Sequence, residues 1–131
     1  MIRGIAIIVA SIAVSGCHRG TESALAGGKS VAARLQALND SNPKIRREAA
    51  EKLGNVGPSD AQVVPALRTA LADKDARVRS AAILALVKCG DTAPPTLSVL
   101  SDLQSKDPDR QVREYAKEAV SALQRGGKTG S

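Results

Sequence analysis

The sequence predicts an all-α fold, a short α-solenoid of about three helix-turn-helix repeats. The motif D-x-[ND]-x-x-[IV]-R occurs three times, beginning at Asp40, Asp73 and Asp107, at steps of 33 and 34 residues. Self-similarity with such a period is typical of stacked repeats. The chain of 131 residues is 43% hydrophobic, but Tyr115 is its only aromatic residue. Closely packed helices suit a core of small aliphatic side chains better than β-sheets, which favour aromatic and β-branched residues.

Residues 1–16 are typical of a signal peptide. Arg3 supplies a positive charge, and Ile5 to Val14 form an apolar stretch in which Ser11 is the only polar residue. A run of about ten apolar residues is too short for a transmembrane helix, which needs roughly 20. It has the length of the hydrophobic region of a secretory signal.

The run Val-Ser-Gly-Cys at residues 14–17 resembles the cleavage site of bacterial lipoprotein signals. In that family a small residue precedes a cysteine that is lipidated, usually with palmitate among its acyl chains, so the resemblance implies lipidation at Cys17. Val14 departs from the family, where leucine is commonest. The family's sorting rule links aspartate after the cysteine to the inner membrane. In a Gram-negative organism, His18 therefore implies the periplasmic side of the outer membrane. Ordinary secretion with cleavage nearby is the alternative.

The remaining chain is predicted to divide into a tether, a repeat domain and a tail. Residues 17–30 are polar and contain glycine, as expected of a lipidated tether. The repeat domain is predicted at 31–125, with units at 31–57, 62–90 and 94–125. Residues 126–131 are predicted to be a disordered tail.

The net charge of +6 does not indicate a nucleic-acid partner. Residues 31–124 contain 14 basic and 12 acidic residues, so most of the surplus lies outside the repeats. Apart from Tyr115, the domain also lacks aromatic side chains on which bases could stack. We therefore expect the basic residues of the tether to lie near anionic lipid headgroups.

Helix A of each repeat is predicted where apolar residues recur at helical spacing before the aspartate motif. These residues are Val31, Leu35 and Leu38; Val64, Leu67 and Leu71; and Val99 or Leu100 with Leu103. The third copy carries two extra residues between Leu103 and Asp107. We expect the first helix A to be partly exposed and to favour a partner or self-association, because an end repeat has one uncovered face.

Helix B follows the aspartate motif. Asn42, Asp75 and Asp109 lie at equivalent positions, where their side chains are expected to cap the helix. An apolar stripe follows at spacings of four, four and three, and it predicts a buried face. In the first repeat the stripe consists of Ile45, Ala49, Leu53 and Val56. The alanine lets a neighbouring helix approach closely, and Gly57 and Gly90 end the first two copies.

The aspartate turn, the [IV]-R pair and the following A-x-x-x-L-x-x-x-G pattern resemble HEAT repeats, especially those of the phycobilisome lyase type. The resemblance covers roughly residues 31–124. In that family the turn aspartate and the helix-B arginine form a hydrogen-bonded ladder, which implies such contacts here, within or between repeats. The ladder residues would be Asp40, Arg46, Asp73, Arg79, Asp107 and Arg113. The alternative is that the aspartates only cap helices and the arginines are solvated.

No catalytic residues, metal site or cofactor are predicted. The only histidine, His18, lies in the predicted tether, and Cys89 is the only cysteine of the repeat domain. None of the common nucleophile, phosphate-binding, zinc-protease or dinucleotide motifs occurs. Cys89 follows an apolar helical run and is expected to be a half-buried, unreactive thiol. The sequence therefore predicts a protein that is not an enzyme.

The helix-B residues opposite the apolar stripe form the candidate interaction face, called the B-helix strip below. Its residues are Arg47, Glu51, Ser80, Leu84, Glu114 and Glu118. Leu84 either anchors a partner or packs into the core, and Tyr115 flanks the strip. The predicted function is a membrane-anchored protein-interaction module or scaffold of the bacterial cell envelope, with an unknown protein partner. The alternatives are an accessory subunit to an envelope enzyme, as in lyases with such repeats, and a purely structural envelope lipoprotein.

Overall fold

The computed structural model describes residues 29–127, which form helices joined by turns. The α-helices are α1 (Val31–Ala37), α2 (Pro43–Val56), α3 (Val63–Ala70), α4 (Ala76–Cys89), α5 (Pro94–Lys106) and α6 (Arg110–Gly127). A 3-10 turn at Gly57–Ser59 follows α2. The six α-helices alternate as helix A and helix B of three repeats, which confirms the predicted all-α solenoid. The predicted signal peptide and Cys17 lie outside the described residues, as do most of the predicted tether and tail.

The described residues fall into two units, one ending at Ala33 and the other beginning at Arg34. In the first unit, the hydroxyl of Ser30 accepts a hydrogen bond from the Ala33 N–H at 3.2 Å and caps the start of α1. The second unit contains the rest of α1 and the other five helices. Within residues 29–127, no helix combines the length and the hydropathy that crossing a bilayer requires.

Helix B begins and ends in each repeat with local signals that the sequence carries. The side-chain oxygens of Asn42, Asp75 and Asp109 each accept a backbone N–H two or three residues ahead, at 2.9, 2.8 and 3.1 Å. This confirms their predicted capping role. Gly57 and Gly90 follow α2 and α4 with φ angles of 77° and 67°, which glycine adopts without the strain that other residues suffer.

The three A helices differ in length. α1 has 7 residues and α3 has 8, whereas α5 has 13. In the first two repeats helix A ends before the aspartate and a short turn completes the connection, but α5 continues to Lys106, directly before Asp107. The two extra residues of the third repeat are therefore accommodated as helix rather than as loop.

The last helix is longer than predicted. α6 continues through Gly126 and Gly127, which the sequence placed in a disordered tail, so the predicted boundary at Arg125 is wrong by two residues. Glycine is a poor helix former, but the preceding turn is held by Leu123, which is only 4% exposed. Packing of that leucine explains why the helix reaches the glycines.

The core consists of small aliphatic side chains, as the composition predicts. The larger aliphatic side chains that are fully buried are Leu53, Val63, Leu67, Leu71, Val78, Ile83, Leu86, Leu100 and Val112. The B helices α2 and α4 come very close together at Gly54. A Cβ atom on Gly54 would lie 2.8 Å from both Cα and Cβ of Ala85. Such close approach fills the interior without aromatic rings.

Candidate functional site

Buried arginine side chains link each repeat to the next. Arg46 Nε donates to Asp73 Oδ2 at 2.8 Å, and its Nη2 donates to Oδ1 at 3.0 Å. Arg79 makes the same two bonds to Asp107, at 2.8 and 3.0 Å. Parallel bonds of this kind use the planar fork of the guanidinium and are stronger than neutral hydrogen bonds. The sequence left open whether such pairs form within or between repeats, and the structure places both of them between repeats.

Each ladder arginine also binds the turn of its own repeat. In all three repeats Nη1 donates to the main-chain carbonyl of the turn aspartate, at 2.8, 2.8 and 2.6 Å. Each turn aspartate accepts the N–H two residues ahead, at 2.8 to 2.9 Å. Asp40 and Arg113 therefore have the same local contacts as the other ladder residues. Within residues 29–127, neither has a partner of the kind that joins neighbouring repeats.

The ladder is shielded from water. The side chains of Arg79 and Asp107 are only 11% and 3% exposed, and those of Arg46 and Asp73 are 6% and 12% exposed. The hydrogen bond to Asp73 raises the pKa of Arg46 above its ordinary value. Buried charges are tolerated only where they are paired and hydrogen-bonded, as they are here. The ladder is therefore structural, and it sets the positions of the B helices.

A second charged contact, which sequence analysis missed, joins α3 to the start of α5. Arg68 donates from Nε to the Thr96 hydroxyl at 2.8 Å and from Nη2 to Asp91 Oδ2 at 3.1 Å. The fully buried Thr96 donates its own hydroxyl hydrogen to the same carboxylate. The positions equivalent to Arg68 in the other A helices are Leu35 and Leu100, so the repeat pattern did not indicate this contact. The sequence did carry one indication: Thr96 is polar, whereas the equivalent positions of the other A helices are occupied by Val31 and Val64.

Two carboxylates have lowered pKa values. The hydrogen bond from Arg77 lowers the pKa of Asp75 to about 2. Burial raises the pKa of Asp91, but the hydrogen bonds from Thr96, a main-chain N–H and Arg68 together outweigh it, so the pKa is lowered overall. Both groups therefore release their protons more readily in the folded protein than in the unfolded chain.

We expect the free energy of unfolding to fall as the pH is lowered from about 4 towards 2. Over this range the unfolded state binds more protons than the folded state, so acid favours unfolding. The contribution of Asp75 to this change in the free energy of unfolding is small, because Arg77 is 72% exposed and salt screens the pair. Urea midpoints measured at about pH 6, 4 and 3 would reveal the effect, and Arg77→Ala should reduce it. An unchanged midpoint over this pH range would contradict the expectation.

The B-helix strip is accessible. Leu84 is 47% exposed and is the one large hydrophobic residue exposed in the described part of the chain. The structure therefore places Leu84 at the surface and not in the core. The other strip residues are either exposed or half-buried: Glu51, Glu114 and Glu118 are exposed, and Arg47 and Ser80 are half-buried. Tyr115, which flanks the strip, is half-buried and accepts a hydrogen bond from Gln111 Nε2 at 3.1 Å.

A basic pocket lies beside the strip, where α2 and α4 begin. It has a volume of about 260 Å³ and is lined by Pro43, Lys44, Arg47 and Arg77. Arg47 Nε lies 3.5 Å from Glu51 Oε1, but it makes no hydrogen bond within residues 29–127. Lys44 is exposed and has no ion pair in the same range. The pocket therefore has an excess of positive charge.

A more acidic pocket lies at the start of α6. Its volume is about 550 Å³, and its walls are formed by Asp109, Arg110, Gln111, Glu114 and Tyr115. Glu118 follows Glu114 by one helical turn and is also exposed. The pockets at the two ends of the strip thus differ in the sign of their net charge.

An apolar groove lies on the helix-A side, between α1 and α3. It has a volume of about 560 Å³, and its lining includes Leu35, Leu38 and Ala66. No residue of α1 is buried. The expected partial exposure of the first helix A is therefore observed, and self-association through it stays a prediction.

The end repeats carry charge at positions that are buried elsewhere. Lys117 is exposed on α6, whereas the equivalent Ala50 and Ile83 are fully buried. Lys52 is exposed on α2, whereas the equivalent Ala85 is 2% exposed. Lysine at these positions makes the stacking of a further copy unfavourable, because its charge would have to be buried.

Cys89 is a free thiol and is 9% exposed. Burial, with a smaller effect from Asp91, raises its pKa, so the unreactive protonated form dominates at neutral pH. Within residues 29–127, no group of three or more histidine, cysteine or acidic side chains is arranged to hold a metal ion.

Comparison with known proteins gives a family and a solved structure. The model of the HEAT repeats family matches residues 31–121. The chain is similar to human deoxyhypusine hydroxylase, solved in complex with glycerol, with 32% identity and a TM-score of 0.65. The match covers 77% of this chain and 34% of that one, so the chain spans about a third of that protein's length. No curated protein sequence matches this chain.

Proposed function

Because the chain belongs to the HEAT repeat family, we propose that it is a protein-interaction scaffold that binds its partner on the B-helix strip. Stacked repeats align equivalent residues of successive helices into one extended surface. The ladder residues that join neighbouring repeats are occupied by structural bonds and are shielded from solvent. The strip residues, in contrast, are exposed or half-buried, so another protein can contact them.

The exposure of Leu84 is the observation that carries this proposal. A leucine that is 47% exposed gives up part of the stabilisation that burial would supply. It lies at the centre of the strip, with charged strip residues on the neighbouring helices. An apolar anchor within a polar rim is the usual arrangement of an energetically important contact in protein interfaces.

Site-specific photo-cross-linking in cells tests the strip. A photoreactive amino acid at Ser80 is expected to yield a discrete adduct, because the partner lies against the strip. The same amino acid at Ser101, an exposed position on α5, is expected to yield none. Leu84→Asp should abolish the adduct at position 80 while the helical content is unchanged. Equal adduct yields at the two positions would contradict the proposal. So would an adduct at position 80 whose yield is unchanged by Leu84→Asp.

We also propose that the chain is held at the membrane by a lipid on Cys17. The support is the sequence of residues 1–17, with its positive charge, its apolar stretch and its small residues before the cysteine. One acyl chain gives only marginal membrane binding, so stable attachment needs the several chains that lipoproteins carry, or added basic residues. Arg19 and Lys29 could contribute in this way.

Labelling with palmitate is expected to mark the wild-type protein and to fail in Cys17→Ser. Cys89→Ser is the matched control, because its thiol is buried in the repeats and should carry no lipid. Fractionation should recover the wild-type protein with the outer membrane and the Cys17→Ser protein in the soluble fraction. Label that persists in Cys17→Ser, or disappears in Cys89→Ser, would refute the anchor.

An accessory role beside an enzyme is the second candidate. It is favoured by the similarity to deoxyhypusine hydroxylase, an enzyme of which this chain matches about a third. Mass spectrometry of the adduct formed at position 80 separates the two candidates. An enzyme in the adduct would support the accessory role, and a protein without catalytic activity would support the scaffold.

A further inference from the structure

We infer that the B-helix strip binds a short peptide segment with an acidic, an apolar and a basic side chain in that order. The inference rests on the proposed function, because it assigns a chemistry to the partner of the strip. It follows from three surface features that lie one after another across the stacked B helices: the basic pocket, Leu84 and the acidic pocket.

The basic pocket is suited to a carboxylate. Lys44, Arg47 and Arg77 surround a space of about 260 Å³, large enough for a carboxylate-bearing side chain. Arg77 pairs with Asp75, but the arginine side chain is 72% exposed and keeps donors free for another group. Arg47 Nε is itself buried and makes no hydrogen bond in the described chain, but the side chain is 41% exposed and lies only loosely paired, 3.5 Å from Glu51 Oε1. An incoming carboxylate would thus meet three cations whose charge is only partly neutralised.

The acidic pocket is suited to a guanidinium or an ammonium group. Asp109 and Glu114 supply carboxylates, and Glu118 adds a third one turn further along α6. The ring of Tyr115 forms part of the wall, and a cation over an aromatic face is stabilised. Arg110 also lines this pocket, so the favourable charge is that of the carboxylates next to Tyr115.

A short segment can reach all three features. α4 packs between α2 and α6, so Leu84 lies between the two pockets along the repeat direction. Packed helices are about 8 to 10 Å apart, so the strip is roughly 20 Å wide. About six residues of an extended chain, or about 13 residues of a helix, cover that distance. The opposite charges at the two ends also select one orientation of the segment, since the reverse orientation brings like charges together.

A peptide explains the strip better than an anionic membrane surface does. A lipid surface of uniform negative charge would be attracted to the basic pocket but repelled by Glu114 and Glu118. A peptide with charges of both signs satisfies both ends. The exposed Leu84 between them adds an apolar contact that a charged surface alone would not use.

Selection from a random peptide library, with peptides about 12 residues long, tests the inference on the full chain purified in detergent. We expect enriched peptides to share aspartate or glutamate near one end, an apolar centre, and lysine or arginine near the other. Lys44→Glu with Arg77→Glu should weaken their binding at least about tenfold, and more salt should weaken it further. Lys117→Glu is the matched control and should change binding by less than about twofold, because this lysine is exposed outside the strip.

The outcomes separate this inference from the function on which it rests. If binding of the selected peptides requires Leu84 but is unchanged by Lys44→Glu with Arg77→Glu, the charge pattern is overturned and the scaffold proposal stands. A selection whose products all bind equally to the Leu84→Asp protein would overturn both. Binding of vesicles rich in anionic phospholipid that depends on Lys44 would overturn the peptide assignment. Lys44→Glu alone keeps the test valid if the double variant fails to fold, because Lys44 makes no ion pair within residues 29–127.

Discussion

Replacing Arg79 by alanine is expected to lower the free energy of unfolding by about 3 to 5 kcal/mol. The substitution removes two hydrogen bonds to Asp107 and a third to the Asp73 carbonyl. It also leaves the Asp107 carboxylate, whose side chain is only 3% exposed, without its cation. An uncompensated buried charge is far more costly than a lost surface ion pair. Urea denaturation followed by circular dichroism measures the change.

Arg113→Ala is the matched control for this prediction. Arg113 makes the same kind of bond to the turn of its own repeat, but no carboxylate of another repeat accepts from it within residues 29–127. Its removal is therefore expected to cost only about 1 to 2 kcal/mol, because the losses are its bonds to the carbonyls of Asp107 and Pro108 and no buried carboxylate is left unpaired. Equal losses for the two variants would show that the link between repeats adds nothing, which contradicts the role assigned to the ladder.

Gly54→Ala is expected to destabilise the array by about 1 to 3 kcal/mol, although alanine is the better helix former. The added methyl group would lie 2.8 Å from Cα and Cβ of Ala85. Atoms in a folded protein do not approach so closely, and the Cα atom cannot move away unless the whole helix shifts. Separation of α2 from α4 would also strain the bonds between Arg46 and Asp73. Thermal and urea unfolding measure the loss.

Gly127→Ala provides the control for helix propensity. A Cβ atom there would lie 3.9 Å from the Thr92 methyl group, an ordinary van der Waals distance, so no loss of stability is expected. A Gly54→Ala protein as stable as the wild type would show that the two B helices can separate at little cost. That result would contradict close packing of α2 against α4 as the reason that the core needs no aromatic rings.

The repeated features of the fold were predictable from sequence because each was present more than once. Three copies of one motif located the three B helices, their caps and their buried stripes. The bonding pattern of the ladder was harder to predict. Arg46 lies 6 residues from Asp40, whose carbonyl it binds, and 27 residues from Asp73, whose carboxylate it binds. Spacing along the chain could not decide between these partners, because stacking brings the distant one equally close.

Features that occur once were not predictable in the same way. Gly54 is matched by Val87 and Ser121 in the other repeats, so its close packing against Ala85 left no pattern. The contact of Arg68 with Thr96 and Asp91 likewise has no counterpart in the other described repeats. For the candidate site, helical periodicity placed Leu84 opposite the buried stripe. It could not establish exposure, since that depends on which neighbouring side chains cover the leucine after folding.

The direction of the ladder affects how repeat proteins of this kind can gain repeats during evolution. Each arginine reaches forward to the aspartate of the following repeat, so one kind of bond joins every pair and sets no limit on their number. The limit comes from residues such as Lys117, which occupies the place of the buried Ile83. Duplication of a single unit, with an apolar residue at that place, would extend the strip by one helix width, about 10 Å. New binding surface could thus evolve in whole steps, without a new way of joining the parts.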